Sequence, residues 1–440
     1  MSNLTTFQTV NPNSAGIDIG SAKIFVSTNG VDVISYGTFT QDFRQCISDM
    51  KGRGVERVAM EATGVYWINL YSMFEEAGIR VCLVNPKEVR QVKGRKTDVK
   101  DCQWIQKKFA AGLLTESYVP EGKLKELRYL VRERLDIIEM GATYVNKMQR
   151  GLELMNIKLT NVIAQIQGAS GIKMIEAILS GERDREKLLM LCDARIRKNK
   201  SKEVLLALEG NYNDTYLFIL AQNLGLWKLH QNKLDVIDQK IQGLLEELCN
   251  GKSPVQDISA PKPARHHHPK IEDLHSSLVQ ICGANPTSIS GLNDYTLLRL
   301  IGETGTDMER FPTVKHFVSW CQLSPGQNQT GKRKRRAKAG HGQKAGQIFR
   351  ESAQALINSK YVAIGVFVRR LRARKGPQIA IKAGGRKIAE AYYNLLRFGT
   401  EYVEAGQEKY EQILKEKELK TIIVLAKKHN FQLIDIVNAA

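Results

Sequence analysis

The chain has 440 residues, 42% of them hydrophobic, enough for two or three domains with cores of their own. Its 65 Lys and Arg outweigh 46 Asp and Glu, and the formal charge of +19 favours a polyanionic partner through counterion release. An apolar run of about eighteen residues, a signal-peptide pattern and a Cys-x-x-Cys pair are all missing. The pattern excludes a membrane-spanning helix, a zinc knuckle and a disulfide scaffold, and the expectation is a cytoplasmic or nucleoid protein.

Residues 1–14 are polar and read as a flexible N-terminus. Residues 15–28 read as one strand and 31–39 as a second, joined through Asn29-Gly30, a hairpin turn signal. A helix is expected near 42–51, a strand over 55–61, a helix over 65–77 and a strand over 79–85 closed by Pro86. This order predicts a mixed sheet with helices against it, and an α/β RNase H-like fold suits it. Trp67 and Trp104 fall on predicted helices beside apolar neighbours and read as core.

Four acids stand out in this region. Asp18 lies inside the apolar Gly16-Ile17-Asp18-Ile19-Gly20, and Glu61 ends Val58-Ala59-Met60-Glu61 before a turn at Thr63-Gly64. Asp98 and Asp101, in Lys96-Thr97-Asp98-Val99-Lys100-Asp101, fall one turn apart on one helix face. Any single Asp is ordinarily a solvated surface residue, and the helical pair alone could serve its first turn. Two strand carboxylates and a helical pair converging on one point match the oxygen ligands that hard divalent cations take. Paired ions about 3.5–4 Å apart would clamp a phosphate. Lys87, Arg90, Lys93, Arg95, Lys96 and Lys100 form a basic approach to them. The phosphate loop of actin-like and sugar-kinase ATPases can also begin with Asp-Ile-Gly, but the Gly-rich loops it needs downstream are missing.

From Leu124 the pattern turns helical: Leu124, Leu127, Leu130, Val131, Leu135, Ile138 and Val145 recur at helical spacing as far as about Gln167. A second long helix is expected over 219–249, and the two read as arms of an antiparallel hairpin or coiled coil within residues 121–251. The favoured use is a dimer interface; an intramolecular packing arm is the plain alternative. Between the arms lies a basic patch, Arg195, Arg197, Lys198, Lys200 and Lys202. Residues 252–269 read as a linker whose His266-His267-His268 is solvated.

In residues 270–405, Ile289 to Asp294 partly resembles a helix–hairpin–helix turn but lacks its second glycine. The turn Leu323-Ser324-Pro325-Gly326 leads through Thr330 into the basic run Lys332, Arg333, Lys334, Arg335, Arg336 and Lys338, ahead of a helix near Gly346. A second cluster holds Arg369, Arg370, Arg372, Arg374 and Lys375. Both read as phosphate contacts. Residues 406–440 read as a charged helical extension.

Taken together, the Asp18, Glu61 and Asp98–Asp101 motifs, Glu303-Thr304-Gly305, Leu323-Ser324-Pro325 and the segment 369–377 closely resemble the IS110/IS1111-type transposases. The likeness runs over about 15–405. It implies a RuvC-like domain (15–120) whose Asp-Glu-Asp-Asp tetrad is Asp18, Glu61, Asp98 and Asp101, holding Mg²⁺ or Mn²⁺. It also implies a coiled-coil region and a mainly α C-terminal transposase domain with a catalytic serine. By register the family's serine position is occupied by Thr330, followed by Gly331 and Lys332; Ser324 is the fallback nucleophile. Further implied are a structured guide RNA of the bridge type, double-stranded donor and target DNA, a homodimer or a tetramer on DNA, and a prokaryotic setting. Rival readings are a RuvC-like hydrolase using water and a catalytically silent RNA- and DNA-binding regulator.

Overall fold

The computed structural model describes residues 9–89, 97–253, 255, 260–264, 266–325, 327–330, 333–336, 344–359, 362–399, 412, 415–416 and 419–431. Its contacts divide the chain into two compact units, Met1–Val119 and Pro120–Ala440.

The first unit is a five-stranded mixed sheet in the order β3-β2-β1-β4-β5. Its elements are β1 (Ser14–Ile19), β2 (Lys23–Ser27), β3 (Ile34–Gly37), α1 (Thr40–Gly52), β4 (Arg57–Glu61), α2 (Trp67–Glu76), β5 (Arg80–Val84), α3 (Pro86–Val89) and α4 (Asp98–Ala110). The single strand expected over 15–28 is in fact two antiparallel strands, with Asp18 opposite Phe25. Gly20 turns the chain there, its N–H donating to the Lys23 carbonyl at 3.0 Å. Asn29-Gly30 makes the next turn as expected: Gly30 is left-handed at φ 73° and the Asn29 carboxamide oxygen accepts from the N–H groups of Val31 and Asp32. β1, β4 and β5 run parallel. The N-terminal stretch is tied down before residue 14: the N–H groups of Val10 and Asn11 both donate to the Ala110 carbonyl at the end of α4.

Strand alternation splits the apolar side chains between two faces. Ala15, Ile17, Ile19, Val58, Met60, Val81 and Leu83 pack with α1 and α2 through Phe43, Met50, Leu70 and Phe74. On the other face Ala59, Cys82 and Val84 meet Ile105 and Phe109 of α4, with Trp104 packed alongside. Trp67 is half-buried against the first of these cores, its indole N–H on the Gly64 carbonyl.

In the second unit, α5 (Gly122–Leu154) and α10 (Asp214–Cys249) lie antiparallel against each other. Lys123 pairs with Glu247, Arg134 with Asp238, and Gly151 faces Leu220. The long helix stops at Leu154 rather than near Gln167 because Asn156 turns left-handed at φ 58°. At the tip of the pair sit α6 (Leu159–Val162), α7 (Ala169–Leu179), α8 (Arg185–Met190) and α9 (Ala194–Ala207), around a core of Leu152, Ile157, Met174, Ile178, Leu188 and Val204. The two arms therefore pack on each other within one chain.

Buried at 2% exposure on both sides, Arg134 and Asp238 are fully engaged. Arg134 grips both carboxylate oxygens at 2.5 and 3.2 Å and donates its remaining nitrogen to the His267 carbonyl at 3.0 Å. The Lys270 N–H donates to Asp238 as well. Residues 267–270 are thus docked on the helix pair. His266 and His267 are exposed, as expected of a linker, but His268 is half-buried.

The remaining elements are α11 (Leu274–Cys282), α12 (Asp294–Thr304), α13 (Val314–Trp320), the hairpin of β6 (Gln327–Thr330) and β7 (Arg333–Arg336), α14 (Lys344–Ala355), α15 (Ala363–Lys375) and α16 (Pro377–Phe398). An aromatic core of Phe311, Phe317, Trp320, Phe349, Tyr392 and Tyr393 joins α13, α14 and α16.

Replacing Arg134 by Met would leave the Asp238 carboxylate buried without its partner. Urea unfolding should show a loss of about 3–5 kcal/mol, and Arg134→Met with Asp238→Leu should recover most of it. Equal losses in the single and double variants would contradict this account of the pair.

Candidate metal centre and nucleic-acid interface

The centre is built on strand register. Ile17 pairs with Met60 across β1 and β4, so Asp18 and Glu61 are the next positions on adjacent parallel strands. Alternation turns both toward the face covered by α4, the side of Gly16 and Ala59. Helix α4 seats directly on Gly16: a Cβ there would stand 2.3 Å from the Gln106 nitrogen and 2.6 Å from the Cys102 carbonyl oxygen. Since Ala110 ends beside Val10, the helix runs antiparallel to β1. Its first turn, with Asp98 and Asp101, therefore lies at the strand ends that carry Asp18 and Glu61.

Thr97 is the N-cap, its hydroxyl accepting from the Lys100 N–H at 3.3 Å, so neither aspartate is the cap. The helix N-terminus still favours their negative charge by about 0.3–1 kcal/mol each. Asp98 is exposed, Asp101 buried, and Asp18 and Glu61 half-buried. The Glu61 carboxylate accepts from the Thr63 hydroxyl at 2.9 Å. Val65, Tyr66 and Val99 leave apolar side chains exposed on neighbouring segments.

Cys102 registers the acids electrostatically. Burial pushes its thiol up to about 12, with Asp18 and then Asp101 adding to the rise. Four carboxylates offer only hard oxygen donors, a donor set that fits Mg²⁺ or Mn²⁺, and they lie toward one end of the sheet. The side chains stop short of a closed cage: among the described residues no three His, Cys, Asp or Glu stand close enough to hold a metal ion together.

For the second site, Thr330 ends β6 and pairs with Arg333 at the start of β7. The basic run Arg333, Lys334, Arg335 and Arg336 thus forms a strand, where the sequence had given no strand signal. Ser324 is half-buried just after α13. Lys93, Arg95, Lys96, Lys332 and Lys338 lie outside the described residues, as do Arg90 and Gly331; of the basic approach, Lys100 is exposed in the first turn of α4 and Lys87 lies in α3. In the second cluster, Arg369 spends its guanidinium on the carbonyls of Ile357 and Ser359, closing the turn into α15. Arg370, Arg372, Arg374 and Lys375 are exposed.

Sequence reasoning gave no role to Glu303 beyond its motif. It is buried and held by Arg132 at 2.8 and 2.7 Å and by Arg128 at 3.4 Å, which fastens α12 to α5. Two arginines four apart on α5 were the available signal. A cavity of about 250 Å³ opens beside it, but Arg132, Arg299 and Lys344 there face Asp136, Glu139 and Glu303. That balance does not favour a phosphate.

The sheet order and the carboxylate face are compatible with a DEDD-type domain, and a transposase model of IS110 elements with that domain matches residues 15–157. A second model, described as the transposase IS116/IS110/IS902 family, matches residues 285–364, and the chain belongs to that family. No curated protein matches it. No helix among the described residues is long and apolar enough to cross a membrane.

The pH dependence of Cys102 has a defined sign. With the folded thiol raised to about 12 from an ordinary 9, its contribution to stability is complete below pH 9 and falls as pH climbs toward 12. Native protein treated with iodoacetamide at pH 8 should leave Cys102 unmodified, and urea should expose it to full labelling. Rapid native labelling at this position would mean that α4 is not seated on β1.

Proposed function

We propose that this transposase cuts and rejoins donor and target DNA under the direction of a structured guide RNA, with a protein hydroxyl as the nucleophile. The observation that supports it best is the placement of Asp18, Glu61, Asp98 and Asp101 around one end of the sheet. In this reading the four carboxylates hold Mg²⁺, or Mn²⁺ in its place. The bound cation supplies charge neutralisation at the scissile phosphate.

The chain's own groups do the rest. The Thr330 hydroxyl attacks phosphorus, the P–O3′ bond breaks, and a 5′-phosphoryl-threonine remains. The hydroxyl proton is released and the departing 3′ oxygen takes one up. Attack by a 3′ hydroxyl of the other duplex reverses the step, freeing Thr330 and exchanging strands. Threonine carries a methyl that serine lacks, which narrows its rotamers and crowds in-line attack. Arg333, Lys334, Arg335, Arg336, Lys332 and Lys338 would hold phosphates beside Thr330. Arg370, Arg372, Arg374 and Lys375 would do so further along the bound nucleic acid. Guide RNA pairing would carry sequence choice, leaving the protein to read backbone and shape. The working form is a homodimer or a tetramer on DNA, and the setting is the prokaryotic cytoplasm or nucleoid.

Labelled donor and target DNA, cognate guide RNA and Mg²⁺ resolved on a denaturing gel test the chemistry. A 5′-phosphate-linked protein adduct should form and vanish in Thr330→Val and Asp18→Ala. Thr330→Ser should form it faster, by about tenfold or less for the single methyl removed, roughly 1 kcal/mol of barrier. Cleavage without an adduct, unchanged in Thr330→Val, would assign the reaction to water. Binding with no cleavage at all would leave only a regulator.

A further inference from the structure

The first half of α9 adds little to the tip core, which it meets through Ile196. Arg195, Lys198, Asn199 and Lys200 are exposed, and the helix buries only Val204 and Ala207, both beyond the break at Lys200 (φ −138°). Five cations nonetheless fall within residues 195–202. Two of them hold the tip together: the Lys200 ammonium donates to the Val162 carbonyl at 2.8 Å, and Arg197 is half-buried against Met190. Arg195, Lys198 and Lys202 are exposed and, among the described residues, join no ion pair.

Most neighbouring acids are committed elsewhere; Glu203 is the exposed acid on α9 itself, beside Lys202. Glu176 pairs with Lys228, Glu182 with Lys187 and Glu209 with Arg185, while Asp193 caps α9 itself. The Ser170 hydroxyl accepts from the Asp193 N–H at 3.0 Å, which fixes the start of α7 beside the start of α9. Lys173, exposed and one turn beyond Ser170, extends the same positive surface. The tip lies between residues 157 and 285, outside both segments that match the family models.

We infer that Lys173, Arg195, Lys198 and Lys202 form a separate contact surface for the backbone of double-stranded DNA, distinct from the DNA held for cutting. Uncommitted cations on the solvent side of a helix that packs through Ile196, Val204 and Ala207 match a line of phosphates. Arg195 and Lys198 stand one turn apart ahead of the break, a rise of about 4.5 Å, and Lys202 follows beyond it. DNA is the polyanion that a transposase must hold, and contacts of this kind carry affinity without sequence. The inference concerns binding alone and stands whether or not Thr330 is the nucleophile.

The test is equilibrium binding of the full chain to fluorescent 60-base-pair duplex DNA between 50 and 200 mM salt. The variant is Arg195→Gln/Lys198→Gln/Lys202→Gln; Lys233→Gln/Lys240→Gln on α10 is the control for charge, and circular dichroism the control for folding. Three lost phosphate contacts reduce the salt slope by about 2.7, so the variant should lose about 40-fold less affinity than the parent chain across that range. The control should keep the parental slope. A parental slope in the α9 variant would overturn the inference. So would a reduced slope with structured RNA while duplex DNA behaves as before, because the surface would then serve RNA.

Discussion

One close approach sets the geometry on which the N-terminal unit depends: α4 lies so near β1 that residue 16 can carry no side chain. That contact fixes the height and direction of the helix over the sheet, and with them the position of Asp98 and Asp101 relative to Asp18 and Glu61. The parallel pairing of β1 with β4 supplies the other half, since a shift of one residue would turn Glu61 to the opposite face. Neither the capping of the helix by Thr97 nor the apolar contacts of Ile105 and Phe109 would set the helical acids at the same end of the sheet as the strand acids if α4 stood farther out.

Polar groups hold the second unit in register in a different way. The Arg134–Asp238 pair lies within the interface of α5 and α10, and its remaining hydrogen bonds go to the chain segment that follows. Glu303 ties α12 to α5 through two arginines. Such buried pairs add little net stability, yet they disfavour every helix offset that would leave one charge unmatched. The helix pair is in this sense a ruler: it fixes where the tip and the C-terminal helices are attached along it.

The candidate acids were legible because each sat in an unusual local setting, Asp18 among glycines and apolar residues and Glu61 at the end of an apolar run. The long helices were legible from their spacing. The division of 15–28 into two strands was not, because both strands are apolar and Gly20-Ser21-Ala22 is too short to interrupt the pattern. The end of α5 was signalled by Asn156, but apolar residues beyond it belong to the tip core and prolonged the helical pattern. The β6–β7 hairpin escaped notice because Gln327 to Thr330 and Arg333 to Arg336 have no apolar alternation to read. Buried pairs such as Arg134–Asp238 depend on residues 104 positions apart, a separation at which single-sequence patterns carry no information.

The central claim is that Asp18, Glu61, Asp98 and Asp101 share one cation. Iron-directed cleavage tests it most directly: Fe²⁺ takes the place of Mg²⁺ in the full chain, ascorbate and peroxide generate hydroxyl radicals at the ion, and mass spectrometry maps the backbone cuts. The account predicts cuts near residues 18, 61 and 98–101 together, suppressed by excess Mg²⁺ and lost in Asp18→Ala. Cuts near only one of these segments, or a pattern unchanged in Asp18→Ala, would contradict it.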